Sequence, residues 1–377
     1  MKFSASSADL LKALTTVGGA VPSKSTLPIL ECILFEQLDE TGLRLTATDL
    51  EISIVQRINV QFESNGTRDG RRTAVPAKRL LDTLRALPDV PIRMEADEEF
   101  HVVLKTDTGE YKMIGFDGAD YPALPTLESD HRIETEGAVL RRAIDKTGFA
   151  VSKDALRPAM MGIYFQIGPD EGRAVATDGH RLVKLNLDGL TADRSVEFIV
   201  PEKAMSLAGK IVSDEVCTIV VDEGYVGLDF GSSRILARLI DESYPNYEAV
   251  IPVENDKRMI VDRDAMLAAV KRVGLYSSTM TNQIRLSLDE DRVEISAEDI
   301  ERSSEAHETV RCEYDGEEMV IGFNSVYLNE VLGHIDADEA VFEFSSPNRA
   351  GVVTPQAQQD GEHILMLIMP VMLNTYA

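Results

Sequence analysis

A short sequence recurs at about one third of the chain length, and this recurrence limits what the chain can fold into. Residues 45–51 read Leu-Thr-Ala-Thr-Asp-Leu-Glu, and residues 175–182 read Val-Ala-Thr-Asp-Gly-His-Arg-Leu. Residues 295–301, Ile-Ser-Ala-Glu-Asp-Ile-Glu, form a looser third copy. Each copy has the pattern of a half-buried strand that ends in a turn, and Asp178-Gly179 is a dipeptide that turns favour. Three copies in 377 residues predict three repeats of one structural unit.

Helical patterns and linkers recur in step with this motif. In the first third, Ser7 is a candidate N-cap before Leu10 and Leu14, and a second helix opens after Pro76. The middle third repeats both helices, the second of them after Pro201, and the last third starts helices at Asp264 and Asn324 before a closing apolar strand, 364–373. The linkers Tyr121-Pro122 and Tyr244-Pro245 end the first two thirds. We therefore predict three α+β domains, each with two helices and antiparallel sheets, at residues 1–127, 128–252 and 253–377. The alternative is a mixed α/β protein with coincidental spacings.

The charge of the chain is strongly negative, with 64 acidic and 38 basic side chains and a formal net charge of −26. This composition argues against a protein that grips nucleic acid with a basic face, because phosphates attract Lys and Arg. The predicted helices are nevertheless mildly basic as a set. A ring of repeats with its helices inside could admit a polyanion without gripping it, although exposed helix faces favour Lys and Arg in any protein.

The sequence also bears on the compartment. The N-terminus has no apolar segment of the kind that signal peptides carry, and the apolar run 364–373 is too short to cross a bilayer. Cys32, Cys217 and Cys312 lie far apart and outside any Cys-x-x-Cys arrangement. We expect a cytoplasmic protein with reduced, buried thiols and no membrane partner.

Catalytic motifs are absent from the sequence. It contains no phosphate-binding glycine loop, no His-Glu-x-x-His and no Gly-x-Ser-x-Gly, and its six histidines have no metal-ligand spacing, so we expect no metal and no cofactor. Asp178 and His180 are the one acid–base pair near a turn, and an enzyme hypothesis makes them the base and orienting group of a hydrolase. With no nucleophile nearby in sequence, a structural or binding turn is the favoured interpretation and no catalytic residue is expected.

Several of these segments together resemble the bacterial β sliding clamps, the processivity subunits of the replicative DNA polymerase. The resemblance covers the whole chain, and its marks are Thr26–Leu30, Thr46–Glu51, Val75–Lys78, Ala176–Leu182, Ile199–Pro201, Ile321–Asn324 and Met369–Leu373. It implies a head-to-tail homodimer that closes a six-domain ring around double-stranded DNA. Such a protein tethers the polymerase to DNA and catalyses nothing itself.

The resemblance also implies a cleft that takes short linear peptides of the polymerase catalytic subunit, the clamp loader and other partners. Aliphatic and Met side chains make adaptable pockets of this kind, although the same residues also serve as plain core. The matching positions are Met160, Thr177, Gly179, His180, Arg181, Leu182, Pro245, Val250, Asn324, Tyr327, Met369, Pro370, Val371 and Met372. Ala249, Thr281 and the extension 374–377 depart from some relatives.

Two further surfaces follow from the resemblance. The residues expected to face DNA are basic: Lys24, Lys78, Arg79, Lys153 and Lys203. The dimer interface is expected to join Tyr111 and Met113 of one chain, as an exposed apolar pair on one strand face, to Leu275 and Tyr276 of the other. A third interpretation, a repeat scaffold that binds peptides but not DNA, predicts no closed ring.

Overall fold

The computed structural model describes residues 1–63, 72–129 and 131–373. Its contacts group the chain into two compact units, which are described separately here. Unit 1 comprises residues 1–138 and 203–239, and unit 2 comprises residues 139–202 and 240–377. The middle third of the chain therefore contributes to both units.

The described residues form six α-helices, two for each predicted repeat. They are α1 (Ser7–Gly18), α2 (Ala77–Ala86), α3 (Gly137–Thr147), α4 (Glu202–Ile211), α5 (Arg263–Gly274) and α6 (Ser325–Gly333). The prolines mark the starts as predicted, because Pro76 and Pro201 immediately precede α2 and α4. Side chains cap the two helices of the last repeat, with Asp262 before α5 and Asn324 before α6.

The predicted N-cap of the first helix is wrong by one residue. Ser6 is the cap, and its hydroxyl accepts hydrogen bonds from the backbone N–H groups of Ala8 and Asp9. Ser7 is buried, and its hydroxyl instead donates to the carbonyl of Pro88 and accepts from the N–H of Val90. Two adjacent serines thus have different tasks, and only tertiary contacts distinguish them.

Unit 1 contains two antiparallel sheets. Its strands are β1 (Lys2–Ser6), β2 (Cys32–Gln37), β3 (Gly42–Thr48), β4 (Ile52–Asn59), β5 (Gln61–Phe62), β6 (Arg72–Pro76), β7 (Pro91–Ala96), β8 (His101–Lys105), β9 (Glu110–Ile114), β10 (Phe116–Asp117), β11 (Arg132–Glu136), β16 (Val216–Asp222), β17 (Tyr225–Asp229) and β18 (Ser233–Arg238). One sheet has the order β5-β1-β7-β8-β9, and the other has the order β10-β6-β2-β3-β4-β18-β17-β16-β11. The pairing of β4 with β18 joins strands of two predicted repeats.

Unit 2 contains one antiparallel sheet of twelve strands. They are β12 (Gly162–Ile167), β13 (Gly172–Thr177), β14 (Arg181–Leu187), β15 (Val196–Pro201), β19 (Lys257–Asp262), β20 (Gln283–Asp289), β21 (Arg292–Asp299), β22 (Ser304–Asp315), β23 (Met319–Asn324), β24 (Glu339–Phe344), β25 (Gly351–Pro355) and β26 (Glu362–Ile368). Their order is β15-β12-β13-β14-β26-β25-β24-β19-β22-β21-β20-β23. The last strand, β26, lies between β14 and β25, so the end of the chain reaches the centre of the sheet.

The helices pack in pairs, and their apolar faces form the cores with the sheets. In unit 1, α1 contacts α2 and the strands β2 to β4, and Leu10, Leu14 and Leu80 are completely buried. In unit 2, α5 contacts α6 and the strands β19 to β22, and Val270 and Leu328 are completely buried. The leucine spacing in the sequence therefore identified the buried faces correctly.

The two Tyr-Pro linkers make equivalent contacts. The hydroxyl of Tyr121 donates to the carbonyls of Cys32 and Thr46, at 3.2 and 3.4 Å. The hydroxyl of Tyr244 donates to the carbonyl of Val175 at 3.5 Å. Thr46 and Val175 hold the same place before their turns, so the sequence repeat is also a repeat of tertiary hydrogen bonds.

The closing strand is shorter than predicted. β26 ends at Ile368, and residues 369–373 have no regular structure, because Pro370 has no N–H to donate to a ladder. Met372 is 79% exposed rather than part of the core. The extension Asn374–Ala377 lies outside the described residues. In the described part of the chain, no helix is long and apolar enough to cross a membrane.

Candidate functional site

The turn between β13 and β14 is held together by two side chains. The hydroxyl of Thr177 donates to the carbonyl of Arg181 at 2.6 Å and accepts from the N–H of Gly179 at 3.1 Å. One carboxylate oxygen of Asp178 accepts from the N–H groups of His180 and Arg181. Gly179 has a φ of 87°, a conformation that glycine adopts at little cost. The turn therefore projects Gly179 and His180, which are both exposed.

The first copy of the motif has the same construction. The hydroxyl of Thr48 donates to the carbonyl of Ile52 at 3.1 Å and accepts from the N–H of Leu50 at 3.0 Å. Asp49 accepts from the N–H groups of Glu51 and Ile52. Leu50 has a φ of 79° without being glycine, which is a strained conformation. Two turns 129 residues apart thus share their hydrogen bonds and their left-handed residue.

The third copy is built differently, as its looser sequence indicated. Glu298 replaces the threonine, and Asp299 is the last residue of β21 rather than the first of the turn. Asp299 accepts from the N–H of Arg302, and the positive φ of 51° is at Ser303. The Thr-Asp pair is therefore what defines the shared construction.

The second turn also carries a buried cation. The side chain of Arg181 is only 7% exposed, and its guanidinium pairs with Asp178 at 3.2 Å and with Glu330 of α6. It also donates to the carbonyl of Phe149 at 2.6 Å. The guanidinium lies 4.7 Å from the ring centroid of Tyr327 and 5.1 Å from that of Phe149. Arg181 thereby joins the turn to helix α6.

Residues from the end of the chain complete this region. The imidazole of His180 stacks on the ring of Tyr327 with centroids 5.8 Å apart. The N–H of Met369 donates to the carbonyl of His180, and the N–H of Val371 donates to the carbonyl of Gly322, both at 2.8 Å. Burial, and then the nearby carboxylate of Asp178, raises the pKa of the Tyr327 phenol. Met369 is 40% exposed and Met372 is 79% exposed.

An apolar cluster lies behind the turn. Leu182 is buried with Val175, Tyr247, Ala350 and Leu367. The predicted residues Pro245 and Val250 flank Tyr247 in sequence; Pro245 is half-buried and Val250 is 55% exposed. Ala249 is exposed and Thr281 accepts, through its carbonyl, a hydrogen bond from the side chain of Asn324. The side chain of Asn324 itself caps α6.

Sequence reasoning missed two residues of this region, Arg157 and Glu330. A Cβ at residue 179 would lie 2.6 Å from Nη1 of Arg157, and the same nitrogen is 4.0 Å from the sulfur of Met160. Arg157 also pairs with Asp154 at 3.0 Å. Arg157 could have been found from the sequence, because it lies only three residues before Met160, a predicted residue of the peptide cleft. Glu330 gave no signal, because its partner Arg181 is 149 residues away.

The hydrolase hypothesis finds no support in this geometry. Both carboxylate oxygens of Asp178 are engaged, one with backbone N–H groups and the other with Arg181. The ring of His180 stacks on Tyr327 instead of pairing with Asp178. Among residues 1–63, 72–129 and 131–373, no group of three or more His, Cys, Asp or Glu side chains could hold a metal ion.

The five basic residues expected at DNA are all exposed. Lys78 and Lys203 are both the second residue of their helices, α2 and α4. Lys24 and Lys153 are 129 residues apart, the same spacing as the two turns. Lys203 pairs with Asp49 in the first turn. Lys78 and Arg79 also line a cavity of about 1320 Å³ in unit 1.

The residues expected at the dimer interface differ in exposure. Leu275 is 80% exposed and Tyr276 46% exposed at the end of α5. Tyr111 is 36% exposed, but Met113 is 5% exposed, so the expectation of an exposed pair is wrong for Met113. Tyr111 and Met113 lie on one face of β9, and both line the same cavity as Lys78. Ile114, on the other face, is 63% exposed.

Comparison with known proteins identifies the class. Models of the DNA polymerase III beta subunit match residues 1–125 (N-terminal domain), 134–246 (central domain) and 248–371 (C-terminal domain). The chain is 30% identical over 370 residues to the beta sliding clamp of Pseudomonas aeruginosa, covering 97% of this chain and 99% of that one. It is 30% identical over 376 residues to the beta sliding clamp of Synechococcus elongatus, covering 97% and 98%.

Solved structures agree. A crystal structure of the P. aeruginosa DnaN sliding clamp bound to griselimycin superimposes with a TM-score of 0.91 at 30% identity, covering 99% of this chain and 100% of that one. The DNA polymerase sliding clamp of Bacillus subtilis superimposes with a TM-score of 0.90 at 26% identity, covering 99% of each chain. The fold is thus the three-domain clamp fold, with six described helices and antiparallel sheets. The chain belongs to the DNA polymerase III beta subunit family, the bacterial sliding clamps. Its function is that of a processivity clamp, a non-catalytic subunit of DNA polymerase III.

Proposed function

We propose that two copies of this chain close head to tail into a ring around duplex DNA, and that the surface around His180 binds linear peptides of its partners. The domains of the ring are residues 1–127, 128–252 and 253–377. The observation that carries the proposal is the repeat itself, since two turns share hydrogen bonds, register and linker contacts. Copies of one unit that repeat a heterologous contact can close into a ring.

Strand edges support the head-to-tail contact. Among the strands of residues 1–63, 72–129 and 131–373, β9 pairs only with β8, so it is an edge of the five-stranded sheet. β22 pairs with β21 at residues 304–311 and with β19 at residues 312–315, so in the described part of the chain one edge of residues 304–311 has no partner strand. Exposed edges bind further strands. We propose that β9 of one chain pairs with residues 304–311 of the next, a heterologous contact that closes after two copies.

An apolar projection and a cavity support the same contact. Leu275 and Tyr276 project at the end of α5, while Tyr111 and Met113 line the cavity of about 1320 Å³ in unit 1. Large apolar side chains that are this exposed in a single chain are typical of protein interfaces. We propose that Leu275 and Tyr276 of one chain enter this cavity in the other.

The peptide site combines apolar anchors with groups that fix direction. Met160, Val250, Met369 and Met372 supply the apolar surface, and the buried Leu182 belongs to the cluster behind the turn. The remaining residues are Thr177, Gly179, His180, Arg181, Pro245, Asn324, Tyr327, Pro370 and Val371. Flexible thioethers adapt to different peptides, and this suits a site that serves the polymerase, the clamp loader and other partners.

The DNA contact is made by five exposed basic side chains. Weak, sequence-independent contact with the DNA comes from Lys24, Lys78, Arg79, Lys153 and Lys203.

The test is topological retention. The protein is loaded onto a nicked circular plasmid with its cognate clamp loader, bound and free protein are separated by gel filtration, and half the sample is then linearised. A ring stays on the circle and slides off the linear DNA. Equal retention on both would refute encirclement and favour the peptide scaffold.

Matched variants test the proposed interface. Leu275→Glu places a charge in the cavity contact, so we expect it to be monomeric in native mass spectrometry and to be lost from circular DNA. Val216→Glu is the control, because Val216 is 64% exposed on β16 and outside the proposed contact. A Leu275→Glu protein that remained dimeric would contradict the proposed interface.

A further inference from the structure

We propose that Glu330 is a positioning residue for the peptide site. Its carboxylate, acting through Arg181, fixes the turn at residues 177–181 against helix α6. The inference rests on the proposed function, because it concerns how the peptide site acquires its shape.

The first step is that the buried guanidinium of Arg181 needs carboxylate partners. Arg181 is 7% exposed and carries a full charge, so it needs compensation from within the protein. Asp178 compensates it in part, but one oxygen of Asp178 already accepts from two backbone N–H groups of the turn. Glu330 supplies the second carboxylate from a different element, and its own side chain is 42% exposed.

The second step runs from Arg181 to the aromatic surface. The guanidinium contacts the rings of both Phe149 and Tyr327, and the ring of Tyr327 stacks on His180. Glu330 and Tyr327 are three residues apart on α6, so they lie on the same side of that helix. A guanidinium pulled towards Glu330 is therefore held under the ring that supports His180.

The third step is the comparison with the first turn. That turn has the same hydrogen bonds, but Ile52 takes the place of Arg181 and is buried. Leu207 is the sixth residue of α4, as Glu330 is the sixth of α6, and Leu207 is an apolar residue close to Ile54 and Gly19. In the first turn the cation partner is Lys203, whose 54% exposed side chain pairs with Asp49, so a Thr-Asp turn folds without a buried arginine. The Arg181–Glu330 pair is an addition to the second turn, at the place where the peptide residues gather.

A second ionic cluster in unit 2 provides the control. Asp336 pairs with Arg142 and with Lys146, the latter at 2.7 Å, and Glu362 also pairs with Arg142. Lys146 also donates to the carbonyl of His334 at 2.5 Å. These pairs likewise join the segment 139–202 to the C-terminal part of unit 2. None of their members belongs to the peptide site.

The experiment compares Glu330→Gln with Asp336→Asn in the full-length protein. Binding of the purified cognate polymerase catalytic subunit is measured by surface plasmon resonance, and thermal unfolding is followed by calorimetry. Histidine-selective labelling with 13C then reports on the ring of His180 in the free protein, since the chain has only six histidines and a stacked ring shifts the resonance of its neighbour.

We expect Glu330→Gln to bind the polymerase subunit about tenfold more weakly, which corresponds to about 1.4 kcal/mol, and to move the His180 resonance, because the variant loses the charge-assisted hydrogen bond between Arg181 and α6. Asp336→Asn should lower the unfolding temperature while leaving both readouts unchanged. An unmoved His180 resonance in Glu330→Gln, or equal loss of binding in both variants, would overturn the inference. If the wild-type protein does not bind the subunit, the proposed peptide site is refuted. If Glu330→Gln nevertheless moves the His180 resonance, the positioning role of Glu330 still holds.

Discussion

Replacing the turn threonines by valine separates what the shared turn does for stability from what it does for binding. Thr177 is 6% exposed and Thr48 is 2% exposed, and each hydroxyl donates to a carbonyl four residues on and accepts from an N–H two residues on. Valine has nearly the same shape but no hydroxyl. Thr177→Val and Thr48→Val therefore remove the same two hydrogen bonds from two separate sites, and Thr48→Val also removes a third, to the hydroxyl of Ser53 at 2.7 Å.

The loss of stability on removing the hydroxyl depends on whether its former hydrogen-bond partners can bind water instead. The two hydrogen bonds contribute about 0.5–1.5 kcal/mol each, since the carbonyl of Arg181 keeps the N–H of Asp178 as a donor at 3.4 Å and the N–H of the exposed Gly179 can turn to water. The added methyl group returns about 0.8 kcal/mol of apolar burial. We expect each variant to be destabilised by about 1–2 kcal/mol. A unit of about 200 residues then unfolds about 2–8 °C lower.

The assay is calorimetry combined with binding of the polymerase subunit. Unfolding of so large a chain need not be two-state, so each variant is compared through the transition that it shifts. Thr177→Val should weaken binding because its turn carries His180 and Arg181, and Thr48→Val should not. The reasoning fails if Thr48→Val weakens binding as much as Thr177→Val, or if neither variant lowers any transition.

Three further predictions test other parts of the molecule. His180→Ala removes the ring stacked on Tyr327, so it should weaken binding of the polymerase subunit several-fold in surface plasmon resonance, while a peptidase or esterase activity that disappears with it would restore the hydrolase hypothesis. Burial, followed by the neighbouring charges of Lys146 and Arg181, lowers the pKa of His334, although the carbonyl and the carboxylate of Glu330 oppose the shift. The unfolded chain therefore binds the proton more tightly, so the stability contributed by neutral His334 is complete above about pH 6.5 and declines below it. Between about pH 7.5 and 5.5, the unfolding temperature should fall more steeply in wild type than in His334→Gln. The exposed His363→Gln is the control, and parallel curves for wild type and His334→Gln would contradict this prediction. Burial raises the pKa of Cys32 to about 12 and of Cys217 and Cys312 to about 11, so iodoacetamide at pH 8 should label none of them in the folded protein and all three in urea, as mass spectrometry would show.

The local features of the fold were accessible from the sequence because they depend on neighbours in the chain. Pro76 and Pro201 mark helix starts through their own backbone chemistry, and Asp178-Gly179 predicts its turn for the same reason. The repeat was visible because each copy needs the same few residues to build the same turn. Leucine spacing likewise identified the buried faces of the helices.

The features that escaped prediction depend on distant parts of the chain. Strand alternation places Tyr111 and Met113 on one face, but it does not say whether another element covers that face, and Met113 is in fact buried. The position of β26 between β14 and β25 has no local signature. Arg181 looked like a peptide-binding residue at an exposed turn, and its burial becomes visible only with Glu330 and Phe149 in place.

The strained Leu50 has a consequence for how many partners a ring can serve. Leucine at a φ of 79° keeps the first turn in the shape of the second, yet the first turn has neither histidine nor arginine to offer. The third copy has lost the shape as well. The proposed ring of two chains would therefore contain six related positions but only two of the proposed peptide sites. Partners would then compete for these two sites, and their order of access would follow from abundance and affinity.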